Sequence, residues 1–121
     1  MEERKLLDER LLEYGARIVK LVGALPKTLV GRRIGDQLLR SGTSAGANYE
    51  EAQGAESKED FIHKLHISLK ELRESHYWLK ILTKADVVPA QRMASLLDES
   101  EQLRAMLSKA LATAKGKAKR G

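Results

Sequence analysis

Apolar residues recur along this chain at steps of three and four, and no stretch alternates them singly with polar ones. Leu7, Leu11, Tyr14, Ile18, Leu21 and Leu25 form one such seam, which predicts a helix over about residues 3–24. Pro26 and Pro89, the only prolines, punctuate the chain near its first and third breaks. A second helix is expected from about Thr28. A third is expected from Ser57, where the hydroxyl can cap a free backbone N–H and Asp60 favours the positive helix end. Its inner face collects Phe61, Ile62, Leu65, Leu69, Leu72, His76 and Leu79. The fourth follows Pro89 and turns Met93, Leu96, Leu97, Leu103, Leu107 and Leu111 inward. Helices of this size are about 33–40 Å long, and short connections make neighbours antiparallel. The expected fold is all-α: an antiparallel up-down-up-down four-helix bundle over residues 1–112, followed by a basic, disordered tail over 113–121.

The second helix carries an unusual run, SGTSAGANYEEAQG, from Ser41 to Gly54. On a helical wheel Gly31, Gly35, Gly42 and Gly46 fall within about 60° of one another, on the side that also holds Leu38, Ala45 and Tyr49. Each interior glycine costs about 1 kcal/mol relative to alanine, so a compensating gain is required. A face without Cβ atoms lets a neighbouring backbone approach closely. Gly31, Gly35, Gly42, Ala45, Gly46 and Tyr49 are therefore expected to be close-packing positions. A phosphate-binding loop would need a lysine and a hydroxyl residue after the last glycine; here Gly46 is followed by Ala47 and Asn48.

Composition narrows the function. The 121 residues are 42% hydrophobic and 32% charged, and contain no cysteine, so disulfides, thiolate nucleophiles and most structural zinc sites are excluded. No apolar run is long enough to span a bilayer, and a cytoplasmic protein without membrane partners is expected. The net charge of +5 is concentrated at the end of the chain: Lys109, Lys115, Lys117, Lys119 and Arg120 accompany no acid, and without them seventeen basic residues face seventeen acidic ones.

The third helix has a second apolar stripe. Ile67, Trp78 and Ile81, with Tyr77 nearby, lie opposite its core side, and tryptophan and tyrosine are favoured interface anchors. They are the expected contact surface of a homo-oligomer. Catalytic chemistry is sparse. All three histidines, His63, His66 and His76, lie on the third helix, and the Glu-x-x-His pairs of a di-metal bundle do not occur. No catalytic residue, metal ligand or cofactor site is assigned. His76 falls on the core side, as a hydrogen-bonded structural histidine would.

RSGTSAGANYEEAQGAESKEDFIHKLHISLKELRE resembles the central signature of the four-helix-bundle proteins encoded in intervening sequences of bacterial 23S rRNA genes. In that family a small-residue run leads to Asn-x-x-Glu-Gly and then to a Ser-Lys-x-x-Phe helix start. Asn48 and Glu51 match the first element, Ala52 standing where glycine is usual, and Ser57, Lys58 and Phe61 match the second. The resemblance covers about residues 18–85. It implies an antiparallel four-helix bundle that assembles as a homopentamer without established enzymatic activity. Relatives include the accessory variability protein of diversity-generating retroelements, which engages a reverse transcriptase and nucleic acid. The leading expectation is a non-enzymatic, self-assembling scaffold with RNA or nucleoprotein contact. The candidate contacts are Arg32, Arg33 and Arg40 on the outer side of the second helix, and Lys115, Lys117, Lys119 and Arg120 in the tail. A protein adaptor that docks a reverse-transcriptase-like or other partner is the alternative, and a metal- or carboxylate-based bundle enzyme comes third.

Overall fold

The computed structural model describes the backbone of residues 2–120 and the side chains of residues 6–116. It contains four helices: α1 Glu2–Gly23, α2 Leu29–Gln53, α3 Lys58–Lys84 and α4 Ala90–Arg120. No strand occurs among the described residues.

Local chemistry sets the boundaries. The Thr28 hydroxyl accepts from Gly31 N–H at 3.1 Å and starts α2; the Ser57 hydroxyl accepts from Asp60 N–H at 3.0 Å and starts α3. These bonds satisfy backbone donors that a helix end leaves free. At the far end of α3, Val87 N–H returns to Leu82 C=O and Asp86 N–H to Thr83 C=O. Asp86 sits at φ 58, in the left-handed region that reverses the chain in a Schellman closure. Helix α4 runs on through Arg120, across the segment expected to be a disordered tail. Alanine and lysine dominate residues 109–120, and both favour helix once the preceding turns exist.

Each helix packs on two others in a closed ring, α1 on α2 and α4, and α3 on α2 and α4. Side-chain pairs give the directions. Arg10 meets Glu99 while Arg17 meets Ser95, so α1 and α4 run oppositely. Lys64 meets Glu51 and Arg40 meets Glu71, so α2 and α3 do too. Tyr14, Ile18, Leu38, Leu65, Leu72, Leu79, Leu103 and Leu107 are fully buried along the axis. Phe61, Ile62 and Leu97, expected inside, are only half-buried against that core.

Candidate functional site

Helix α2 is thin on two sides. Toward α1, a Cβ on Gly42 would stand 2.8 Å from both Ile18 Cγ1 and Cγ2, and one on Gly35 would stand 3.3 Å from Val22 Cγ1. Gly46 is looser, its Cβ position 3.4 Å from the Leu11 backbone oxygen. Gly31 serves the turn rather than the helix pair: its Cβ would lie 2.0 Å from the Pro26 carbonyl oxygen, where the chain doubles back from α1. Gly15 on α1 completes the seam, its own Cβ position 3.8 Å from Gly42 O. Toward α3, Ala45 and Tyr49 are buried, and the Ser68 hydroxyl donates to Ala45 C=O at 2.6 Å.

Outside the α1–α2 seam the same small residues leave a groove of about 710 Å³. It is lined by the small residues Gly15, Ala16, Gly46 and Ala47, by Leu11, Leu12 and Val19, and by the acids Asp8, Glu9 and Glu50. Leu12 is 76% exposed and Val19 51%. Sequence reasoning placed no surface here, because the inward seam of α1 accounts for its leucines without these two.

The expected interface on α3 divides. Ile67, Trp78 and Ile81 are half-buried beside the α2 seam; the Trp78 ring packs on the core and its Nε1–H donates to Glu74 at 2.9 Å. Tyr77 is more open to solvent, 54% exposed, and meets the Trp78 ring edge-on at 5.5 Å.

Serines knit the interior. Tyr14 OH is 2.7 Å from Ser75 Oγ, which itself donates to Leu72 C=O. Burial pushes the Tyr14 phenol up to about 12, against the opposing hydrogen bonds of Ser75 and Ser100. His76 Nδ1 lies 2.5 Å from Ser100 Oγ, and its Nε2 lies 3.3 Å from Glu101. The Ser100 hydroxyl, like that of Ser75, donates to a carbonyl of its own helix, Leu97 C=O at 2.8 Å, so the direction of the His76–Ser100 bond follows the tautomer of the ring. Burial, opposed by Glu101 and aided by Lys80 and Arg104, holds the imidazole below its ordinary value. This polar layer joins α1, α3 and α4. Sequence reasoning placed Tyr14 and His76 on the core side but missed the serines, although Ser68, Ser75 and Leu82 repeat every seventh residue, as core positions do. Among the described residues, no group of three or more His, Asp or Glu is placed to hold a metal.

Residues 9–109 match the model of the 23S rRNA-intervening sequence protein family. The chain belongs to that family. It is also similar to a solved protein of unknown function from the S23 ribosomal protein family of Bacteroides thetaiotaomicron VPI-5482. The two are 35% identical, the match covers 91% of this chain and 98% of that one, and the TM-score is 0.80. No curated protein matches.

In this member of the 23S rRNA-intervening sequence protein family, the motif residues lie along the α2–α3 hairpin, Asn48 bonded within α2 and Glu51 across to α3. Asn48 Nδ2 donates to Ser44 C=O at 2.9 Å, and Glu51 accepts from Lys64 at 2.6 Å across the seam. Ser57, Lys58 and Phe61 share a small cleft with Ala52 and Gln53 at the turn. The basic candidates are scattered. Arg32 and Arg33 are exposed, Arg32 donating to Lys27 C=O at 3.1 Å. Arg40, expected on the outer side as a phosphate contact, is instead engaged by Glu71 at 2.6 Å, by Glu74 and by Gln37, so its charge is already compensated. Lys115 is exposed; the side chains of Lys117, Lys119 and Arg120 lie outside the described residues.

Proposed function

We propose that this chain is a non-enzymatic, self-assembling helical scaffold whose copies form a cyclic homopentamer that associates with RNA. The supporting observation is the α1–α2 groove, which small residues line together with Leu12 and Val19, two large apolar side chains left in solvent. A contiguous apolar surface of this kind marks a site of association. A second copy is its occupant. The groove and the Ile67–Trp78–Ile81 edge of α3 are unlike surfaces of one chain, and contacts between unlike surfaces run head to tail, giving a ring where the rotation between copies closes and a filament where it does not. The number five is what the family resemblance implies. Gathering five copies also gathers five lysine-rich chain ends, which raises avidity for a polyanion.

Light scattering on the purified protein is expected to give five times the 13.5 kDa chain mass. Leu12→Glu combined with Val19→Glu is expected to reduce it to a single chain while the helical circular dichroism persists. A parent protein that is monomeric at micromolar concentration would overturn the assembly.

A further inference from the structure

Along α3, His66, Lys70, Arg73, Tyr77, Lys80 and Lys84 follow one another at alternating steps of four and three, and all are exposed. At 100° per residue they occupy about 80° of the helix surface and a length of about 27 Å. Beyond Glu59 in the first turn, no acid of α3 shares that arc. Glu71 and Glu74 lie on the α2 side and are held there by Arg40. Among the described residues, Lys70, Arg73, Lys80 and Lys84 form no ion pair. The body of the chain is formally neutral, yet its charges are sorted, and here they leave an uncompensated cationic line.

A cleft of about 290 Å³ opens midway along that line, between α3 and α4, lined by Arg73, His76, Tyr77, Lys80, Glu101 and Arg104. Glu101 is the single acid in it, and both of its carboxylate oxygens are occupied, by Arg104 at 2.9 Å and His76 at 3.3 Å. The Tyr77 ring stands among cations with half its surface in water.

We infer that this stripe is a binding track for single-stranded RNA, with Lys70, Arg73, Lys80 and Lys84 contacting successive phosphates and Tyr77 stacking on an unpaired base. The inference rests on the RNA-association part of the proposal above and assigns it to a surface other than the α2 arginines or the chain end. Cations interleaved with an exposed aromatic ring are what single strands require: the backbone is followed by charge, and every base offers a π-face to stack. A duplex hides those faces. A protein partner fits poorly, because the stripe carries no aliphatic residue and lysine is depleted at the centres of protein interfaces.

Fluorescence anisotropy with a labelled oligouridylate of about 12 nucleotides, within the span such surfaces bind, tests the track on the full chain. Four phosphate contacts predict that log affinity falls with log salt at a slope of about −3, at about 0.7 per contact for a single strand. Arg73→Ala with Lys80→Ala is expected to flatten the slope by about 1.4. Tyr77→Ala is expected to weaken binding roughly 5- to 150-fold without changing the slope, and Tyr77→Phe to restore it. The same dependence on an oligodeoxyuridylate would show a track for single strands of either sugar and would overturn its assignment to RNA. Equal affinity for duplex RNA or for anionic vesicles would overturn stacking. RNA binding that ignores all α3 variants but disappears on deletion of residues 113–121 would overturn the track and leave RNA association standing. No binding at low salt would end both. A change in light-scattering mass on Tyr77→Ala or Arg73→Ala would make the stripe a subunit contact and overturn the inference.

Discussion

Gly31 and Gly42 show how differently one residue type can be constrained within a single helix. At Gly42 the added methyl would meet two carbons of the Ile18 side chain at 2.8 Å and its Cβ at 3.2 Å, and this β-branched, fully buried residue yields only by a small shift of α1 against α2. At Gly31 it would meet the Pro26 carbonyl oxygen at 2.0 Å, and only the backbone can move. Overpacking costs about 1–3 kcal/mol, and alanine returns about 1 kcal/mol of helix propensity. Gly31→Ala is therefore expected to be the most damaging change, Gly42→Ala to cost about 1 kcal/mol net, and Gly46→Ala, where the contact is ordinary, to be neutral or stabilising. Urea denaturation of the three variants measures the order, and equal losses at all three would refute it. The wheel revealed that α2 has a small-residue face, because that depends only on periodicity. It could not rank the glycines, because the ranking depends on what lies opposite each: a turn carbonyl, a branched side chain or the backbone of Leu11.

At the scale of the element, helices α1 to α3 were legible because apolar spacing and capping residues coincide. The end of α3 was less so. Pro89 marks the start of α4, but α3 stops at Lys84, four residues after which the chain has already turned through Asp86 and tucked the half-buried Val87 against the core. Glycine usually holds that left-handed position, and its absence removed the signal. A non-glycine residue there bears a backbone cost of about 1–2 kcal/mol, less for aspartate, whose short side chain tolerates it. Asp86→Gly is expected to stabilise the fold by about 0.5–1 kcal/mol, and Asp86→Val to destabilise it by at least as much. A rise in denaturation midpoint with an unchanged slope on denaturant would establish the first; a fall would show that the carboxylate is needed at the turn. Helix α4 continues through Arg120. A run of positive charge looks like a tail, but alanine between the lysines preserves helix propensity, and the bundle supplies the nucleus.

For the whole molecule, the layer that joins Tyr14, Ser75, His76 and Ser100 ties three helices to one protonation state. His76 faces Ser100, Glu101 and Arg104 of α4, with Lys80 one turn along its own helix. Its folded-state value is lowered, chiefly by burial, whereas the unfolded chain protonates an ordinary histidine near pH 6.5. Below that pH the unfolded state binds more protons than the folded one, so stability falls as pH falls until the folded imidazole also protonates. The contribution is fully present above about pH 6.5. Glu101 adds a second stage in the same direction. Its value is held down by Arg104, so the ionised form is favoured by folding, and that advantage is lost only in the acid range where carboxylates protonate. Thermal unfolding followed from pH 8 to pH 5 is expected to show a falling midpoint that begins near the histidine range. His76→Gln keeps a polar group toward Ser100 but cannot titrate. Whatever its effect on stability at pH 8, the midpoint of this variant is expected to vary less between pH 7 and pH 5 than that of the parent. Parallel curves for the two proteins would show that the loss arises elsewhere, and His76 would then be an ordinary packing residue in a bundle whose acid sensitivity belongs to its surface carboxylates.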